Sequence, residues 1–435
     1  MTSVEQRAHA GAILTFVALL FSGTAMASAP ADGQTDSKDS GAAEDDTRSS
    51  RDSRTSQWQY NLDGAFYGIF NRQSGPRGDI QMRSQNWLMA MGSRPLGSGT
   101  LTVTGMLTAE PLTAEGIGYS ENFQEGETYH GLQITDHQHP HNLFMQLAAA
   151  WRLPLGRRVQ VTIAGGPVGE PTLGPVAFMH RASAAEDPIA PLAHHIFDST
   201  HVANGVVLAR VDRGLVSVEG SVFRGREPDE HRYDIETGAL DSWAMRVWLR
   251  PSAAWTIQAS HGYLHQPEQL EPGDQRRTNA SASWYRQSGS DYTAFTVAAG
   301  QNRRQYSVVG SILAEGTHHF KRTSLYGRFE NTSVETEILL FPEIVHRPHP
   351  GELVDTIRAA TAGIVRDIGR FRELAVGVGA DATVYGVPPV LDLIYGAHPL
   401  SCHVFLRVGL ANPANRMWNA TMGAHEAMVH EHAHH

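Results

Sequence analysis

The stretch TDHQHPHN, residues 135–142, sets His137, His139 and His141 at every second position, with Asp136 just before them and Pro140 inside the run. In extended backbone, alternate side chains share a face, so three imidazoles are expected to point the same way. Neutral imidazole is a ligand for copper, zinc, nickel and iron. A second group follows downstream: His180, then PLAHHIFDSTH with His194, His195 and His201. His194, Asp198 and His201 stand at i, i+4 and i+7, the spacing of one helical face. Asp136 and Asp198 are expected to accept the second ring N–H of a ligand and fix its tautomer, or to ligate directly. A third group closes the chain: MGAHEAMVHEHAHH, with His425, His430, His432, His434 and His435 beside Met422 and Met428. Thioether selects Cu(I), whereas imidazole takes Cu(II) or zinc, so copper or zinc is the expected cofactor. The competing reading is that the loop imidazoles bond to backbone and to one another and pack a plug.

Something must carry these loops. Residues 1–27 have a charged start, an apolar run from Ala10 to Phe21 and the end Ala25-Met26-Ala27, which reads as a secretory signal peptide. Residues 28–56 lack aromatic and branched aliphatic side chains, and an acidic disordered leader is expected there. From residue 57 the period is two. In WAMRVWLR, Trp243, Met245, Val247 and Leu249 lie on one face; in LVSVEGSVF, Val216, Val218 and Val222 alternate with Ser217, Glu219 and Ser221. Runs of about ten residues suit strands that cross a bilayer. Sixteen are expected, near 57–70, 80–93, 99–109, 142–153, 157–166, 202–212, 215–225, 241–251, 254–264, 278–288, 291–301, 305–315, 319–331, 353–367, 371–385 and 401–410. Their connections alternate between tight turns, such as RPLGSG, LPLGRR and VDRG, and long loops, such as 110–141, 167–201 and 332–352. One tight connection is expected at AEGTHH, 314–319. That alternation predicts an all-β fold, a transmembrane up-and-down antiparallel barrel of about 16 strands (12 to 16), with long His-rich external loops. Residues 57–410 would form the barrel and 411–435 a His/Met-rich periplasmic tail. The Pro/Gly-rich stretch 165–181 is expected to be rigid and to fold inward, turning Glu170 and His180 toward the lumen.

Composition narrows the partners. A formal charge of -10 argues against nucleic acid. The single Cys402 can form neither an internal disulfide nor a Cys-based metal cluster. The expected partners are outer-membrane lipid, metal ions and metal-handling proteins of the periplasm or inner membrane.

TDHQHPHNLFMQLA, GGPVGEPTLGPVAFMHRASA, PLAHHIFDSTHVANGVV and HPLSCHVFLRV together resemble a group of proteobacterial outer-membrane proteins that accompany heavy-metal, especially copper, resistance functions. The resemblance spans most of residues 57–410 and implies a barrel with a metal-linked role. The plan of signal, leader, barrel and His/Met segment also resembles the copper resistance B proteins, which place that segment before the barrel rather than after it. The leading expectation is therefore a bacterial outer-membrane barrel that binds or passes transition metal ions, copper foremost, in export, sequestration or resistance. A metal-dependent outer-membrane hydrolase is the alternative, although no G-x-S-x-G motif occurs. A structural porin is the third reading.

Overall fold

The computed structural model describes residues 57–114 and 116–423. The signal peptide, the leader and His425, His430, His432, His434 and His435 lie outside the described residues.

Sixteen antiparallel strands, from 8 to 18 residues long, close into one barrel. The first strand, Gln59–Gln73, pairs with the last, Leu400–Leu410, from Ala65↔Gly409 to Gln73↔Ser401. Closure leaves no open sheet edge, so the ladder N–H and C=O groups pair within the sheet, the condition for crossing hydrocarbon with strands. Each of the sixteen expected strands has its counterpart, and turns alternate with long loops. The strand expected over 305–315 runs instead over Val308–Phe320, and AEGTHH lies inside it. The turn falls at Lys321, whose φ of 57° lets two residues reverse the chain.

The strands are apolar outward and polar inward. Along Ser242–Ser252, Trp243, Met245, Val247 and Leu249 face out, while Ala244, Arg246 and Trp248 are buried toward the lumen. Val207, Val218, Phe295, Val297, Leu325, Phe329, Ile364 and Val404 continue the exposed apolar band. Trp58, Trp255, Phe320 and Phe371 stand at the short-turn rim as an aromatic girdle. A closed barrel with such a belt is an outer-membrane β-barrel. No helix among the described residues is long and apolar enough to cross a membrane.

The lumen is filled. Within the loop that follows Gly99–Leu107, a two-stranded hairpin, Tyr119–Tyr129 with Leu132–Gln138, folds inside. The loop after Val159–Gly169 does the same, and Pro171, Pro175, Pro188 and Pro191 stiffen it. Ion pairs bolt it to the wall: Arg181 to Glu315 at 2.7 Å, Arg328 to Asp187 at 3.1 Å, and Arg407 to Glu186. The inward fold expected for 165–181 is observed. Residues 411–423, expected to belong to a tail free of the barrel, enter the lumen as well. Arg416 pairs with Asp63 at 2.9 Å, the Met417 N–H donates to Asp63 at 2.8 Å, and Met422 is 1% exposed.

Candidate metal centre

Two inward loops bring their imidazoles together at the long-loop end of the barrel. The first supplies His141, just before strand Phe144–Leu155. A short helix, Glu110–Thr113, carries Pro111 in its first turn and is stapled to the wall by Ala109 N–H to Asn86 Oδ1 at 2.7 Å. From it Glu110 accepts both the backbone N–H and the Nδ1–H of His141, each at 2.9 Å. The second loop supplies the helical turn His194–Phe197 and the 3-10 turn Ser199–His201. That geometry turns the i, i+4, i+7 spacing into a built unit. His194 Nδ1 meets Asp198 Oδ1 at 2.7 Å, and His201 Nδ1 meets the Asp198 carbonyl at 2.7 Å. Arg181 holds the other Asp198 oxygen at 2.7 Å.

Acceptors at all three Nδ1 atoms put the ring protons there and leave the Nε2 lone pairs free. One ligand nitrogen from each of His141, His194 and His201 lies within 4.8 Å of the others. The Nε2 atoms of His141 and His201 are buried without a hydrogen-bond partner. Buried imidazole nitrogens left unpaired and converging are what a metal ion satisfies, and a carboxylate or backbone carbonyl behind each ring is the usual arrangement around a His-bound metal.

The electrostatics suit a cation. Burial, reinforced by neighbouring imidazoles, pushes His201 well below its ordinary pKa, so it stays neutral and ready to ligate. For His141 burial acts the same way, but the Glu110 carboxylate outweighs it and the pKa rises. Asp198 is buried, which favours its acid form, yet Arg181 and His194 hold it well below the usual carboxylate range.

Other expected site residues divide into two sets. His139 and His195 border the same cavity of about 20 Å³. The His139 ring lies 6.1 Å from that of His141 and 5.5 Å from that of His195. His137, in contrast, sits in the inner hairpin opposite Ser120, with Nδ1 3.0 Å from the Thr135 carbonyl. Asp136 does not serve an imidazole: it accepts from Phe123 N–H at 2.9 Å, Tyr395 OH at 2.9 Å and Arg77 at 3.2 Å. The strand ends at Gln138, and His139, Pro140 and His141 lie beyond it in irregular, buried chain, so the three imidazoles do not share a face. His180 stacks edge-on against Trp87 at 4.8 Å, outside the convergent group. Burial and the charge of Arg416 lower its pKa to about 3. Glu170 is paired with Arg246 at 3.4 Å. Sequence reasoning passed over Glu110, Glu127 and Glu227, which face these imidazoles; an acidic residue in a long loop carries no periodic signal that would single it out.

No family model and no curated protein matches the sequence. Solved structures are similar in fold. OmpT of Vibrio cholerae with loop L8 deleted aligns at a TM-score of 0.47 and 8% identity, over 80% of this chain and 99% of that one. Salmonella typhi OmpF in complex with daunomycin gives 0.48 and 10%, over 80% and 97%. An anion-selective porin from Comamonas acidovorans gives 0.47 and 10%, over 81% and 100%.

Proposed function

We propose that this outer-membrane barrel captures a divalent transition metal ion, copper or zinc, at His141, His194 and His201, in metal sequestration or export. One observation carries the reading: three imidazoles, each anchored through Nδ1, bring one ring nitrogen apiece to within 4.8 Å of the others. The filled lumen supports capture over free diffusion through an open pore. The five tail histidines would supply a second, weaker chelating segment, and a metal-handling protein of the periplasm or inner membrane would exchange the ion with it.

A hydrolytic reading stands second. Three histidines leave the fourth position of a tetrahedral ion open, as catalytic zinc sites do, and two carboxylates border the cavity. The test is elemental analysis of detergent-purified protein in which the five tail histidines are asparagine. One or more equivalents of Cu or Zn, with the His141/His194/His201 ion lost in His201→Ala, is the expected result. Absence of bound metal at saturating Cu(II) and Zn(II) refutes the proposal, and turnover of ester or lipid substrates by the loaded protein would promote the second reading.

A further inference from the structure

We infer that the cavity beside His141, His194 and His201 takes a second divalent ion, held by His139, His195, Glu127 and Glu227. The inference rests on the capture reading above and extends it to a two-ion centre.

The ligands come in matched pairs. Each loop offers one imidazole to either side: His141 and His139 from the first, His194 and His195 from the second. His194 and His195 rings are 5.3 Å apart, so one chain segment spans both positions. The two carboxylates are fixed in the same manner. Glu127 gives Oε2 to Arg232 at 2.7 Å and brings Oε1 to 3.1 Å from His139 Nε2. Glu227 gives Oε1 to Arg277 at 3.1 Å, while its Oε2, on a side chain only 9% exposed, is buried with no partner beside the cavity. Each arginine thus orients a carboxylate and leaves one oxygen for something else.

Proton counting shows what that something is. His139 faces acceptors at both nitrogens, the Pro140 carbonyl at 3.4 Å from Nδ1 and Glu127 at Nε2. A neutral ring has one proton for the two. With Glu127 ionised, whichever nitrogen lacks it turns a lone pair on an oxygen, and a cation at Nε2 and Oε1 removes that repulsion. His195 makes no ring hydrogen bond to the described residues; its backbone carbonyl is pinned by Asn302 Nδ2 at 2.9 Å. Its ring lies flat on Gly126, where an added Cβ would stand 2.5 Å from Cε1 and 2.7 Å from Nδ1. Gly126, at φ +133°, therefore makes room for this imidazole to reach the cavity. Four nitrogen and oxygen donors of this kind suit zinc or Cu(II). Paired ions about 3.5–4 Å apart are a recurrent arrangement in metal centres.

The experiment uses the full-length chain with the five tail histidines changed to asparagine, and Co(II) and Cu(II) as probes. Co(II) per chain is measured after gel filtration, with the Cu(II) electron paramagnetic resonance signal as a second readout. Two ions per chain are expected, with the Cu(II) signal attenuated by coupling between neighbours. His195→Ala combined with Glu227→Gln should bind one ion and give an uncoupled signal. His201→Ala should lose the other ion. Glu227→Gln alone, which leaves shape nearly unchanged, should weaken the second equivalent at least tenfold. All variants are checked for heat-modifiable mobility. One ion that is lost in His201→Ala and untouched in the His195/Glu227 variant overturns the second position while leaving the first standing. No ion in any protein overturns both.

Discussion

Asp198→Asn separates an oriented metal site from packed histidines. The substitution keeps the volume and removes the charge. Arg181 keeps Glu315 at 2.7 Å and the Val176 carbonyl at 2.8 Å, and His201 keeps the Asp198 backbone carbonyl. The loss falls on the 2.7 Å acceptor for His194 Nδ1–H and on the charge of the 2.7 Å pair with Arg181. An amide accepts that proton less strongly and can turn its NH2 toward the ring, which disfavours the tautomer with a free Nε2. Losing a carboxylate behind a ligating imidazole weakens metal binding by ~10–100-fold, which is ~1.4–2.7 kcal/mol. Removing the ligand itself in His194→Ala should cost more. The assay is competition for Zn(II) against a chromophoric chelator at pH 7.5, on detergent-folded protein with the tail histidines replaced. Affinity within threefold of wild type would refute the tautomer argument. A loss as large as that of His194→Ala would make Asp198 a ligand in its own right.

Three further outcomes follow from the same contacts. His180 titrates at about 3 when folded and near 6.5 when unfolded, so the stability it lends is present above 6.5 and lost as pH falls toward 3; at pH 5 the loss is roughly 2 kcal/mol, read as a shift in urea midpoint that His180→Gln abolishes. Met422→Ala should cost ~2–5 kcal/mol because that side chain is buried against Gly169, whereas deleting 424–435 should leave the unfolding midpoint unchanged; equal midpoints for Met422→Ala and wild type would return the segment to a free tail. An epitope inserted at Gly273–Asp274, in a long loop, should be labelled on intact cells, and one in the turn at 289–290 should not; the opposite pattern would invert the barrel.

The barrel was legible in the sequence because its determinant is local. A period of two needs only the pleat, and lipid on one side makes the outward face apolar wherever the strand lies. Trp243, Met245, Val247 and Leu249 announce their face without reference to any other strand. Turn chemistry then sets the count, and the one misplaced turn, AEGTHH, lay where Gly316 mimicked a reversal inside a strand. The unit His194–Asp198–His201 was legible for the same reason: its spacing is that of one helical face. The rest of the centre was decided in three dimensions. Alternation along TDHQHPHN promised three imidazoles on one face, but the inner strand, anchored through Asp136 to Phe123, Arg77 and Tyr395, ends at Gln138. His137 stays within the hairpin strand, while His139 and His141 lie past its end and line the cavity. Glu110, Glu127 and Glu227 join them from three separate stretches of chain. A metal centre needs donors converging on one point within a few ångströms, and two loops folding into one lumen produce that convergence, which no spacing along either loop encodes.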